Sequence, residues 1–379
     1  MRFHWMMILL LGGLSAQLVL GAEPVSGKTK HSYAIVSELK IPRKQYPQAL
    51  VIRFSEDNRR ITVVTVEGVY VYDLDRSRWG AKSITFLQYA DRAVISGDGS
   101  ILLCAHDHGK ATLWDLTRLE LIWSFDTGNK LLGPCALSAD GETLALLKQG
   151  TVYLGQIRDK TFKHLWKPAE KDVRAIRFIP GKTTQLVGFA RKVKTQEEGG
   201  GVSWDHDVYL WREQLDGTYS RRKIRESTSE KRTIDSFTLT GEDLTPIQFS
   251  HDAQLLGINE GEGIEIWELN QAKKLHTIQP TETFVGSISF SGDNRLLATG
   301  GGFLVLPPST SLKKNALPQP VKSIPLKGKL SVWEISTGKR LAEIELGIPV
   351  GTIDLADKTG MLAASTHGTL ILLKPDAGR

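Results

Sequence analysis

An all-β fold, a seven-bladed β-propeller of four-stranded antiparallel blades, is predicted by three observations. A Ser-x-Asp turn recurs along the chain, an aromatic residue followed by an acid or polar residue recurs behind it, and a strand-like run near the start has no partner of its own. Where no insertion intervenes, the second mark returns every 40 to 42 residues, from Tyr72 to Trp114, Trp114 to Leu154 and Trp333 to Leu373. That period is the length of one four-stranded propeller blade. A single such sheet cannot bury both of its faces, so sheets of this kind are stable only when stacked against neighbours.

The elements follow in order. Residues 1–22 read as a secretory signal: Arg2 supplies the charge, Met6 to Leu11 and on to Leu20 the apolar stretch, and Gly21 and Ala22 the small residues before a cut ahead of Glu23. The stretch is interrupted by Gln17 and is short for a span of ~20 residues. The expected location is therefore periplasmic or extracellular, with no transmembrane span after removal of the signal; an uncleaved signal would instead act as an anchor. Residues 23–30 form a linker and 31–379 the propeller.

The run His31 to Leu39 precedes the first complete unit. The seventh unit, Val350 to Pro375, supplies only three strands. Pairing the two completes the last blade and removes an open sheet edge.

The turn mark appears at Ser55-Glu56-Asp57, Ser96-Gly97-Asp98, Ser138-Ala139-Asp140, Ile179-Pro180-Gly181, Ser250-His251-Asp252, Ser291-Gly292-Asp293 and Ala356-Asp357-Lys358. The closing mark appears at Tyr72-Asp73, Trp114-Asp115, Leu154-Gly155, Trp211-Arg212, Trp267-Glu268, Trp333-Glu334 and Leu373-Lys374. Runs such as Ile61 to Val66 are rich in β-branched residues, as strands require. The closing aromatic is expected to fill the wedge between blades.

These residues resemble the WD-repeat propeller family, most clearly at Leu113-Trp114-Asp115-Leu116 behind Ser96-Gly97-Asp98-Gly99, with Trp267-Glu268-Leu269 and Trp333-Glu334-Ile335 as near copies. The resemblance covers residues 31 to 375 and rests on recurrence. Gly-His before the first strand of each blade is absent, and the tight turn between second and third strands carries His108, Val66 or His367 where the family favours Asp. The buried His–Ser–Asp–Trp network of the family is therefore not expected. The resemblance implies an interaction platform that binds a protein, peptide or other polymer across a ring face.

Three insertions mark where a site would lie: 191–207 and 303–328, each between the second and third strands of a blade, and 225–244, joining the fourth blade to the fifth. All are expected as long loops rising from one face of the ring. The candidate binding residues are Arg191, Lys192, Lys194, Trp204, Arg221, Arg222, Lys223, Lys313 and Lys314, a basic cluster with one aromatic that suits an acidic peptide or an anionic polysaccharide. Acids at Glu197, Glu198, Glu226 and Glu230 dilute it.

The net charge of +6 leaves the surface mildly basic. Nucleic acid is not the expected partner, because export removes the chain from it. Two cysteines, Cys104 and Cys135, exclude a disulfide framework and are expected buried and unbridged. His106-Asp107-His108 and Trp204-Asp205-His206-Asp207 lack zinc-site spacing, so no metal is expected. No Gly-x-Ser-x-Gly elbow, His-Glu-x-x-His or Cys-x-x-Cys-His is present, so neither catalysis nor a cofactor is expected. The function read from the sequence is an extracytoplasmic protein- or polymer-binding scaffold. The alternative is a propeller enzyme or small-ligand carrier with its site at the channel mouth.

Overall fold

The computed structural model describes residues 33–42, 49–80, 82–86, 89–106, 109–127, 134–148, 150–166, 168, 173–196, 202–213, 219–225, 247–259, 263–281, 284–304 and 326–375. The signal 1–22, the linker 23–30, Lys313 and Lys314 lie outside them, as do 197–201, 226–246 and 305–325. Among the described residues there is no α-helix, and none long and apolar enough to cross a membrane.

The strands group into seven antiparallel blades. β1 (Tyr33–Lys40) comes first. Blade 1 is β2 (Ala49–Phe54), β3 (Arg60–Thr65), β4 (Gly68–Asp73) and an outer strand split into β5 (Arg78–Trp79) and β6 (Ile84–Thr85). Blade 2 is β7 (Ala90–Ile95), β8 (Ile101–His106), β9 (Lys110–Asp115) and β10 (Glu120–Asp126). Blade 3 is β11 (Cys135–Leu137), β12 (Thr143–Lys148), β13 (Thr151–Gln156) and β14 (Thr161–Trp166). Blade 4 is β15 (Val173–Ile179), β16 (Lys182–Gln196), β17 (Val202–Glu213) and β18 (Tyr219–Arg225). Blade 5 is β19 (Ile247–Phe249), β20 (Leu255–Asn259), β21 (Ile264–Glu268) and β22 (Lys273–Ile278). Blade 6 is β23 (Phe284–Phe290), β24 (Leu296–Leu304), β25 (Leu326–Glu334) and β26 (Arg340–Leu346). Blade 7 is β27 (Ile353–Leu355), β28 (Leu362–Thr366), β29 (Thr369–Pro375) and, outermost, β1.

The closure expected from the sequence is present. β1 lies antiparallel to β29 from Tyr33↔Pro375 to Lys40↔Thr369. Seven apolar clusters account for the ring, one per junction. The cluster of Ile41, Ile52, Phe54, Ile61 and Leu370 joins blade 7 to blade 1. Val64, Ile84, Leu102 and Cys104 join blade 1 to blade 2, and the remaining clusters continue the circuit until Leu330, Ile344, Ile353 and Leu373 join blade 6 to blade 7. Each sheet thus buries both faces against neighbours, the non-directional term that holds the circle.

The Ser-x-Asp mark is a hydrogen-bonded device repeated in five blades. The serine Oγ–H donates to the aspartate two residues on, at 2.6, 2.6, 2.5, 2.8 and 2.7 Å for Ser55, Ser96, Ser138, Ser250 and Ser291. The same Oγ accepts the backbone N–H five residues on, as from Arg60 and Ile101. The aspartate accepts the N–H two residues beyond itself, as from Ser100 and Gln254. The residue between has positive φ: Asn58, Gly99, Gly141, Ala253 and Asn294. Asn and Gly tolerate that region, which explains their recurrence there.

The pairing register corrects two sequence expectations. In blades 1, 2, 4, 5 and 6 the closing aromatic faces the residue that follows the turn: Ile61↔Tyr72, Leu102↔Trp114, Leu186↔Trp211, Leu256↔Trp267 and Leu297↔Trp333. In blade 3 the equivalent pair is Leu144↔Gly155, so Gly155 holds the aromatic's place, one residue beyond Leu154. The space is filled from the outer strand: a Cβ at Gly155 would meet the Phe162 ring at 2.8 Å. Burial of the aromatics also varies. Trp211 and Trp333 are buried, whereas Trp114 and Trp267 are half-buried.

Three closing indoles donate locally, Trp267 to Glu265 Oε2 at 3.0 Å and Trp333 to Thr299 Oγ1 at 3.2 Å among them. Trp114 donates to Thr112 Oγ1 at 2.9 Å, and His106 Nε2 lies 2.6 Å from the same oxygen. His106, Thr112 and Trp114 are thus linked through one hydroxyl oxygen. Cys104 and Cys135 are both buried and no disulfide joins them; burial raises the Cys104 thiol pKa well above its usual value, with Cys135 adding to the shift.

Candidate functional site

Antiparallel blades give the ring two chemically different faces. Turns between first and second strands and between third and fourth strands share one face. Turns between second and third strands share the other with the blade-to-blade connections. The first are the tight, hydrogen-bonded turns; the second carry all three insertions.

On that second face, 191–207 departs from the expected loop. β16 and β17 continue pairing beyond their blade, through Arg191↔His206, Lys192↔Asp205, Val193↔Trp204 and on to Gln196↔Val202, with a bulge between Val193 and Thr195. The physical reason is the sequence itself: RKVKTQ and VSWDHD are free of Pro and Gly, and each end of the insertion extends a strand already in register. Pairing of β16 with β15 stops at Val173↔Ala190, and pairing of β17 with β18 begins at Val208↔Arg225. Residues 191–196 and 202–207 are therefore a two-stranded ribbon with no partner on either edge among the described residues. At ~3.3 Å per residue it projects about 20 Å. Its two edges carry opposite charge: Arg191, Lys192 and Lys194 on one strand, Asp205 and Asp207 on the other. The sixth-blade insertion behaves alike at its base, where Phe303↔Lys327 and Leu304↔Leu326 extend β24 and β25.

Lys313 and Lys314 lie outside the described residues, and the other seven candidate residues fall on two elements. Arg191, Lys192, Lys194 and Trp204 sit on the ribbon. Arg221, Arg222 and Lys223 lie instead on β18, the outermost strand of blade 4, opposite Trp211, Leu210 and Tyr209. Strand alternation splits them between two sheet faces. Arg221 and Lys223 lie over the Tyr209 ring at 5.4 and 5.8 Å, and Lys223 Nζ is 3.0 Å from Asp207 Oδ2, which also accepts the Tyr209 hydroxyl at 2.9 Å. Asp207 is buried, so this ion pair ties the ribbon's base to the blade edge. Arg222 points the other way and donates to the Asn270 and Gln271 carbonyls of blade 5, each at 3.3 Å.

A second group, not singled out from the sequence, gathers where the channel opens on the turn face. Middle residues of several of these turns lie against one another, as Gly97 does against Ala139. His251 of blade 5 reaches Asp357 of blade 7 at 3.1 Å, passing Gly292 of blade 6, where a Cβ would lie 2.7 Å from Asp357. Beside them, buried Asp354 accepts Phe54 N–H at 2.7 Å and Ser289 Oγ–H at 3.3 Å, so it bridges blades 6, 7 and 1. Burial raises the Asp354 pKa, partly offset by Arg53 and by the Phe54 bond. Burial lowers the His251 pKa and the Arg53 charge adds to this, while Asp357, Asp354 and Asp252 oppose it. Among the described residues His251 Nδ1 has no hydrogen-bond partner. Among the described residues no group of three His, Cys, Asp or Glu is arranged to hold a metal ion. Aligning the seven turns would have exposed this group, since the residue two before the turn is charged at Arg53, Arg177 and Asp354.

Compared with known proteins, the chain matches no family model and no curated protein sequence.

Proposed function

We propose that the chain is a non-catalytic scaffold of degenerate WD repeats, working outside the cytoplasm, that binds a protein, peptide or anionic polysaccharide through the insertion-bearing face of its ring. The observation that carries this reading is the blade 4 ribbon. Unpaired strand edges present backbone N–H and C=O groups in the spacing an extended partner needs. Its Arg191–Lys194 edge adds positive charge, which favours an acidic partner and speeds encounter with it. The signal at 1–22 supports the location.

The test compares two proteins in affinity purification from an envelope fraction: the full chain, and a variant in which 192–205 is replaced by an Asn-Gly turn. A partner retained by the first and lost by the second is the expected result. Recovery of the same set by both would refute the ribbon's role, and a mature N-terminus other than Glu23 would refute the processing. A small-ligand carrier is the second reading, favoured by Arg53, His251, Asp354 and Asp357 meeting from three blades at the channel mouth. Its binding would survive removal of the ribbon.

A further inference from the structure

Blades 1 and 2 leave a cleft between their turn ends. It has a volume of about 30 Å³ and lies next to the apolar cluster of Val64, Leu102 and Leu116 that joins the two blades. The register shows how the sequence builds it. Arg53 pairs with Thr62, and Thr62 with Val71, so the three form one row across blade 1. Val64, two residues after Thr62, belongs to the junction cluster, so this row faces blade 2. Arg60, two residues before Thr62, shares that face and sits nearer the turn. Arg53 and Arg60 are thus diagonal cross-strand neighbours, ~7–8 Å apart, within reach of long side chains. Both line the cleft. Ser55, Thr62 and Thr117 add hydroxyls to the lining, and buried Leu116 adds an apolar wall.

The lining holds two cations and no acid. Arg53 donates from Nη2 to the Gly97 carbonyl at 3.1 Å. The Arg60 guanidinium and the Thr62 hydroxyl have no hydrogen-bond partner among the described residues, and neither arginine has a carboxylate within ion-pair distance there. The acids nearby are committed elsewhere. Asp57, which attracts Arg60 and Arg59, accepts Ser55 Oγ–H and Arg59 N–H. Asp98 accepts the Ser96 and Ser100 hydroxyls, and Asp115 accepts Thr117 and Arg118 N–H. Asp354, which attracts Arg53, accepts Phe54 N–H and Ser289 Oγ–H. Two guanidiniums, charged at any accessible pH, therefore share one cleft with no carboxylate in contact.

We propose that this cleft binds the carboxylate group of a ligand, with the Arg60 fork and the Thr62 hydroxyl as donors and Arg53 adding charge and a further N–H. At roughly 10–15 Å³ for each water-sized group, the cleft has room for about two. That matches the two oxygens of a carboxylate and falls short of the four of a phosphate. A planar guanidinium donates to both carboxylate oxygens at once, the geometry in which arginine binds anions best. Arg60 and Thr117 are exposed, so the cleft opens to solvent and the rest of the ligand stays outside. A free small acid and an acidic side chain of a peptide both supply the group. The cleft lies on the turn face, away from the insertions, so the site goes beyond the scaffold reading and does not depend on the ribbon.

The full chain, carrying isotope-labelled arginine, is titrated with acetate, with a blocked triglutamate peptide and with inorganic phosphate. Ionic strength is held constant with chloride, and binding is followed by the arginine Nε–H resonances and by calorimetry. Saturable binding of a carboxylate is expected, tighter than that of phosphate, with shifts at the Arg53 and Arg60 resonances. A peptide affinity about tenfold or more above that of acetate assigns an acidic peptide, and a smaller difference assigns a free small acid. Arg60→Gln, with native circular dichroism, should weaken binding about tenfold or more. Should that variant fail to fold, Thr62→Val carries the test: it keeps the side-chain shape, removes the hydroxyl and should weaken binding severalfold. The ribbon-trimmed variant should bind as the parent does, which separates failure of this site from failure of the scaffold reading. Absence of saturable carboxylate binding, tighter binding of phosphate than of both carboxylates, or undiminished binding in either folded variant would overturn the proposal.

Discussion

Removing the Tyr33 side chain should destabilise the whole ring. Tyr33 opens β1, is 3% exposed, and packs in the cluster that joins blades 6 and 7. Its hydroxyl donates to the Gly360 carbonyl at 3.1 Å, across 327 residues of chain. Losing a buried aromatic ring costs about 3–5 kcal/mol, and the hydrogen bond adds about 1 kcal/mol. Tyr33→Ala should therefore cost about 4–6 kcal/mol, a large part of a total stability of roughly 5–15 kcal/mol. Tyr33→Phe should cost only about 1 kcal/mol, because the ring remains. Urea denaturation, followed in parallel by tryptophan fluorescence and far-UV circular dichroism, measures both. A pH arm isolates the hydroxyl. Burial pushes the Tyr33 pKa up to about 12 from 10.0. The folded state thus favours the protonated phenol, and this contribution is complete below pH 10 and is lost as pH rises through 12. Tyr33→Phe should lack that alkaline loss. If Tyr33→Ala left the global midpoint unchanged, β1 would be an appendage, and latch-dependent closure would be refuted.

Lys160 is exposed at φ 53°, in the turn position that Gly338 occupies in blade 6, so Lys160→Gly should raise stability by up to about 1 kcal/mol. Gly338→Ala should lower it, since a Cβ there meets nothing and only the backbone strain changes; chemical denaturation measures both. The lowered His251 pKa means that the unfolded chain takes up a proton the folded one resists, so stability should fall as pH drops from 7 through the folded pKa. His251→Gln should flatten the slope between pH 7 and 5, and an unchanged slope would assign the acid sensitivity to another group.

Much of the fold was legible because propeller blades are local. A Ser-x-Asp turn closes over six residues, its hydrogen bonds run within those residues, and its repetition exposes the period whatever the loops between. The latch was legible for a similar reason: His31 to Leu39 reads as a strand, the last unit lacks one, and an open edge is costly. The blade 4 insertion was misread as a loop because the residues at its tip suggest a turn, while the pairing that makes Arg191 to Gln196 a strand depends on Val202 to Asp207 across it.

The sequence alone determined the blade repeat, the turn chemistry and the missing strand, since each depends on residues close together in the chain or on a simple count. Only the tertiary structure decided which side chains meet. It put Arg222 on the turn of the next blade, seated Phe162 in the place a tryptophan occupies elsewhere, and brought His251 to Asp357 from two blades away. These contacts depend on the angle and tilt of neighbouring blades, quantities set by packing around the closed ring and by no stretch of residues within it.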